Sequence, residues 1–159
     1  MIKNSGFIFL EIIISVTLIG VVFVTLLGIG FLMLNASSSI QKQTQADSLI
    51  KEGFEAVRNF RDGTTWATNG LGTVSVGSSN PYYLASSANQ WVLTAGTETI
   101  GIFTRKIIFD AVSRDVSGNI ENTYNESTKD TDTIKVTITV TWLDKTIQNV
   151  SYLTNWKND

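Results

Sequence analysis

The chain has 159 residues, a formal net charge of −2, and neither histidine nor cysteine. Those two absences exclude a Ser-His-Asp triad, imidazole base catalysis, thiolate nucleophiles, disulfides, Cys- or His-built zinc sites and a lipidated cysteine. No Lys/Arg-rich block occurs, so the electrostatic footprint of a general nucleic-acid binder is missing, and nucleic acid is not indicated as a partner.

The first third is so apolar that only about a hundred residues remain to fold in water. Residues 12–34, IIISVTLIGVVFVTLLGIGFLML, hold only Ser, Thr and Gly among apolar residues. At about 1.5 Å per residue they span a hydrocarbon core of about 30 Å as a helix, so 7–34 is read as a transmembrane segment. A secretory signal peptide would have a shorter apolar run ending at a small-residue cleavage site, and FLMLNASS is a poor one. Lys3 precedes the span, which places the N-terminus in the cytoplasm and everything after Leu34 outside.

No proline or turn cluster interrupts residues 35–62, and Ile40, Leu49, Ile50, Phe54, Val57 and Phe60 recur at three- and four-residue steps. This predicts an amphipathic continuation of the same helix, about 80 Å from Phe7 to Arg61. Asp62-Gly63 is the expected stop, with Gly63 as a left-handed cap residue and Arg58 and Arg61 complementing the negative end of the dipole. The apolar stripe of Phe54, Val57 and Phe60 is expected to lie on a sheet.

Residues 63–159 shift to Gly, Ser, Thr and Asn with short β-like runs at 73–76, 82–84, 90–93 and 101–113. The clearest strand is DTIKVTITVTWL, where Ile134, Val136, Ile138, Val140 and Trp142 share one face and Lys135, Thr137, Thr139 and Thr141 the other. LDKT supplies a polar turn, and IQNVSYLTNW returns as the hairpin partner, its apolar face placed on Val150 and Tyr152 with room for a bulge near Asn149. The expected class is α+β, with three or four antiparallel strands packed on the second half of a long N-terminal helix.

Glu11 is the one charge between Phe7 and Lys42. One account leaves it near the membrane interface, where water or headgroups reach it. A second needs a positive charge nearby, and cutting after Gly6 creates one, because Phe7 would then carry a free α-amino group four residues from Glu11. The leader MIKNSG, followed by FIFLE and a long apolar helix, resembles the prepilin signature of type IV pilins and of the pseudopilins of type II secretion and competence systems. That resemblance implies a pilin-like fold and a prepilin peptidase that cuts between Gly6 and Phe7 and N-methylates Phe7. It also implies that Glu11 pairs with a neighbouring subunit's N-terminal amine during helical assembly with other pilin subunits. EGFEAVRNFRD, residues 52–62, is similar to the helix end of PilV-type minor pilins. Ile8 departs from the family's usual Thr or Ser, and Gly28 stands where many major pilins have proline. Gly28 and Gly30 either soften the helix or are ordinary small packing residues of a membrane span.

The resulting organisation is a cleaved cytoplasmic leader (1–6), a membrane and filament-core helix (7–34), its amphipathic continuation (35–62) and a β-rich head (63–159). The resemblance implies a structural subunit, not an enzyme, held in the cytoplasmic membrane with its head outside and later moved into an extracellular pilus or periplasmic pseudopilus. A pseudopilin of secretion or DNA uptake is the close alternative; a bitopic membrane-anchored ligand-binding protein, with Glu11 merely interfacial, is the alternative of another class. No cofactor is expected. Glu121, Glu126, Asp130 and Asp132 in 119–133 offer oxygens of the kind calcium takes, but without EF-hand spacing the simpler reading is a solvated acidic loop.

Overall fold

The computed structural model describes residues 5–87 and 90–158, with Ser5 and Gly6 described in backbone alone. The leader residues 1–4, Lys3 included, lie outside the described residues. Among the described residues one α-helix, α1 (Ser5–Gly63), is followed by six strands: β1 (Tyr82–Ser87), β2 (Gln90–Ala95), β3 (Glu98–Ile100), β4 (Phe103–Ser113), β5 (Lys129–Trp142) and β6 (Lys145–Thr154). The class is α+β. The chain divides into two compact units, one ending at Thr44 and one beginning at Gln45.

In the unit beginning at Gln45, Ala46, Ile50, Phe54 and Val57 of α1 recur at four-, four- and three-residue steps and are all buried. They share a core with Phe103, Ile107 and Phe109 of β4, the predicted face of β5 and Leu153 of β6, and Phe60 packs partly buried against it. Gly53 allows the close approach: a Cβ there would stand 2.9 Å from Ile138 Cδ1 and 3.7 Å from Arg105 Cδ. Ile40, assigned to the same stripe by spacing, is exposed.

The six strands form one antiparallel sheet in the order β2-β1-β4-β5-β6, with β3 beside β4, so three or four strands was an undercount. Residues 73–76 are not a strand: a 3₁₀ turn (Leu71–Thr73) buries Leu71, and Trp66 is buried just before it. The expected face of β6 is also reversed. A two-residue turn at Leu143-Asp144 sets Trp142 opposite Lys145, and the unbroken register then pairs Val140 with Ile147, Val136 with Ser151 and Ile134 with Leu153. Residues directly opposite share a face, so Leu153 is buried while Val150 and Tyr152 are exposed.

No bulge occurs at Asn149; the irregularity lies in the β4–β5 pairing, where Ala111 faces Ile134 but Val112 faces Asp130. Three backbone groups of the extra β5 residues find partners outside the β4–β5 ladder. Trp66 Nε1 donates to the Thr131 carbonyl (3.0 Å), the Asn155 amide donates to the Asp132 carbonyl (2.8 Å), and the Asp132 amide donates to Asp130 Oδ1 (2.9 Å).

The end of α1 also differs from expectation. Gly63 does not take the left-handed conformation. The final carbonyls are capped instead from outside the helix: Thr64 Oγ1 donates to Phe60 O (2.7 Å), and Lys157 Nζ donates to Asp62 O while Trp156 Nε1 donates to Asp62 Oδ1 (3.0 Å). A C-terminal segment that returns to the helix end makes a glycine cap unnecessary.

Candidate functional site

Every large apolar side chain from Phe7 to Leu34 is exposed, on all sides of the helix. Among the described residues this is the one helix long and apolar enough to cross a membrane. Its hydroxyls do not interrupt that surface. Ser15 Oγ donates to the Glu11 carbonyl (2.8 Å), Thr17 Oγ1 to the Ile13 carbonyl (2.7 Å), and Thr25 Oγ1 to the carbonyls of Val21 and Val22 (3.1 and 2.8 Å). Each hydroxyl is turned back onto its own helix, so none needs water.

What remains is the Glu11 carboxylate. It is exposed, and among the described residues it accepts no hydrogen bond and makes no ion pair. Phe7, Glu11, Ser15, Leu18, Val22 and Leu26 follow at steps of four, four, three, four and four, which places them along one stripe of the helix. Along that stripe Leu18, Ile19, Val22, Phe23 and Leu26 line a shallow groove whose wall is almost wholly apolar. An unpaired carboxylate thus heads a greasy groove, on the same face as the Phe7 backbone nitrogen one turn earlier.

Gly6 and Phe7 both lie inside α1, so the peptide bond between them has helical backbone. A peptidase that binds extended substrate must unwind that first turn. Gly28 and Gly30 sit in unbroken helix, and a Cβ at either would meet nothing within 4 Å. Their lack of side chain leaves two shallow notches on the surface.

The acidic segment 119–133 is only partly a loop, because Glu126–Thr128 is a 3₁₀ turn and β5 begins at Lys129. Its carboxylates are each engaged. Glu121 accepts from the Thr128 hydroxyl, Glu126 from the Tyr124 hydroxyl, Asp130 pairs with Arg114, and Asp132 accepts from the Asn155 amide. Among the described residues no three acidic side chains gather as a metal site. Burial raises the Asp130 carboxyl, but the Thr133 hydroxyl, the Arg114 guanidinium and the Asp132 amide outweigh it and hold the group below its usual value.

Sequence reasoning gave no role to Arg105. The residue is 2% exposed, on the core face of β4. Nη2 lies 2.6 Å from Glu98 Oε2 and 3.5 Å from Glu52 Oε1, and Nη1 donates to the Leu49 carbonyl at 2.9 Å. A charged residue within the pattern FTRKIIF was the available signal, since a cation on the dry face of a strand must find partners across the core.

Compared with known proteins, the chain matches no family model, no curated protein and no solved structure.

Proposed function

We propose that the chain is a structural subunit of a type IV pilus-like filament, of the minor-pilin kind. It is processed by a prepilin peptidase between Gly6 and Phe7, methylated on Phe7 and assembled through its N-terminal helix. The observation that carries this reading is the unpaired Glu11 carboxylate at the head of an exposed apolar stripe. The apolar surface has only two covers, lipid or other copies of itself. Each large side chain left in water costs about 1.5–3 kcal/mol, and so long a run of them exceeds the roughly 5–15 kcal/mol net stability of a domain.

The stem therefore resides in the cytoplasmic membrane first and among neighbouring stems later. An α-amine brought within about 4 Å of Glu11 contributes about 4 kcal/mol at an effective dielectric of about 20, less the cost of desolvation. Apolar packing supplies the bulk affinity and the ion pair fixes the axial stagger. Because the N-terminus of one copy meets a different patch on the next, the contact is heterologous and propagates as an open helix.

Mass spectrometry of the native protein's N-terminus tests the reading directly. A mature chain beginning at Phe7, one methyl group heavier, is expected, and Gly6→Asp should leave the leader attached. A mature chain that keeps Met1 to Gly6 rules out the processing step and the pairing built on it.

A further inference from the structure

The unit beginning at Gln45 holds a cleft of about 480 Å³ on the sheet face turned away from α1. Its floor is a row of three side chains placed abreast by register: Asp110 on β4 opposite Lys135 on β5, and Lys135 opposite Tyr152 on β6. One wall is Val76-Gly77, tied down by the Gly77 amide donating to the Phe109 carbonyl (2.7 Å). The other is the segment Ile120–Tyr124, tied down by the Glu121 amide donating to the Ser113 carbonyl (2.9 Å). The volume falls in the range that small ligands occupy.

The chemistry of the lining narrows the ligand. Lys135 Nζ and Asp110 Oδ2 stand 3.6 Å apart, near enough for their charges to cancel but beyond hydrogen-bond length. Both groups face the cleft, and the Glu121 carboxylate, which accepts from the Thr128 hydroxyl, lines it too, so the lining carries one negative charge in excess. Among the described residues the Asn122 amide and the Tyr152 hydroxyl also have no hydrogen-bond partner. Tyr152 and Tyr124, which are 45% and 42% exposed, bring aromatic rings beside those polar groups. An anion would meet one cation facing two carboxylates, Asp110 and Glu121. A purely apolar ligand would have to strand four polar groups, at about 1–3 kcal/mol for each one left unpaired.

We propose that this cleft binds a neutral carbohydrate. The sugar's C–H face rests on Tyr152, and its hydroxyls exchange hydrogen bonds with Asp110, Lys135 and Asn122. This site goes beyond the assembly role and does not depend on polymerisation.

The test uses the full chain in phosphocholine-detergent micelles, which carry no sugar headgroup. Saturation-transfer NMR is run with chitotriose, mannotriose and a galactose-terminated trisaccharide as probes. At least one probe should bind with a Kd of about 1 mM, unchanged within about twofold when salt is raised, because a neutral ligand is not screened. Tyr152→Ala and Asp110→Asn should each weaken that binding about tenfold while leaving the melting temperature in place. If Tyr152→Ala lowers the melting temperature, Asp110→Asn alone decides. The assignment is overturned if no probe binds at about 10 mM, if binding survives Asp110→Asn undiminished, or if a basic peptide binds the same cleft in a salt-dependent way.

Discussion

Leu143 opens the two-residue turn between β5 and β6 with φ 50, a conformation that a residue bearing a Cβ holds at a cost of about 1–2 kcal/mol. Gly101 takes the corresponding place between β3 and β4 with φ 60 and carries no such cost. Because the Leu143 side chain is exposed, removing it forfeits little burial. Leu143→Gly should therefore stabilise the fold by about 0.5–1 kcal/mol after glycine's greater unfolded-state freedom is subtracted, and thermal unfolding followed by near-UV circular dichroism reads it. A drop in melting temperature would show that the leucine is not strained. Asp130 makes a pH-dependent contribution. Its folded carboxyl lies below the usual value, so its stabilisation is fully present above about pH 4–5 and disappears as pH falls through the folded value. Asp130→Asn should cost about 1–2 kcal/mol near neutrality, below the 3–5 of a fully buried pair because Arg114 keeps 38% of its side chain exposed. The gap between variant and parent should close as pH falls below about 4–5 and through the lowered folded value. A gap of constant size across that window would assign the loss to packing instead of charge.

At the scale of elements, what the sequence revealed depended on how each element is covered. β5 was readable because one side packs into the core while the other carries only Lys and Thr, which writes strict alternation into Ile134, Val136, Ile138, Val140 and Trp142. β6 was not, because it is an edge strand on which apolar residues occupy both faces; the Leu143-Asp144 turn decides its register, and turn geometry leaves no periodic trace. The run at 73–76 had strand-like residues but no partner to pair with. Arg105 was opaque for another reason: its main-chain acceptor, Leu49, lies 56 residues earlier in the chain. The packing of α1 on the sheet hinges on Gly53, and here two effects compete. Alanine gains about 1 kcal/mol of helix propensity but sets a methyl 2.9 Å from Ile138 Cδ1, whose side chain is fully buried and can yield little. Gly53→Ala should then change stability by less than about 1 kcal/mol. Gly53→Leu adds bulk that no local shift absorbs and also pushes Arg105 from the Leu49 carbonyl, for a loss of about 3 kcal/mol or more. Chemical denaturation of both variants checks the contrast, and a Gly53→Leu variant as stable as the parent would mean that helix and sheet do not approach this closely.

For the molecule as a whole, the two compact units obey different solvents. The unit beginning at Gln45 has a shared core of helix and sheet, whereas the described residues of the unit ending at Thr44 bury none of their large apolar side chains, and Ser15, Thr17 and Thr25 return their hydroxyls to their own helix. The second pattern was fully legible, since an uninterrupted apolar run needs no long-range partner to be recognised. The carbohydrate cleft was not, because it is assembled from three strands and two loops that only the register brings together. In the proposed filament, one carboxylate joins the two lives of the stem. Glu11 near the membrane interface is tolerated by water and headgroups, so Glu11→Ala should insert and lose its leader normally. Between stems, the same position has a neighbour's amine to neutralise, and a few kcal/mol of net pairing corresponds to a tenfold to hundredfold change in affinity, or about 1.4–3 kcal/mol. Glu11→Ala and Glu11→Gln should both fall at least about tenfold in sheared filaments relative to the membrane fraction, measured by quantitative immunoblotting. The glutamine variant separates charge from polarity, because it keeps the shape and an acceptor oxygen but cannot balance an ammonium group. Incorporation of both variants at the parental level would leave Glu11 as an interfacial carboxylate and return the stem to the role of a simple anchor.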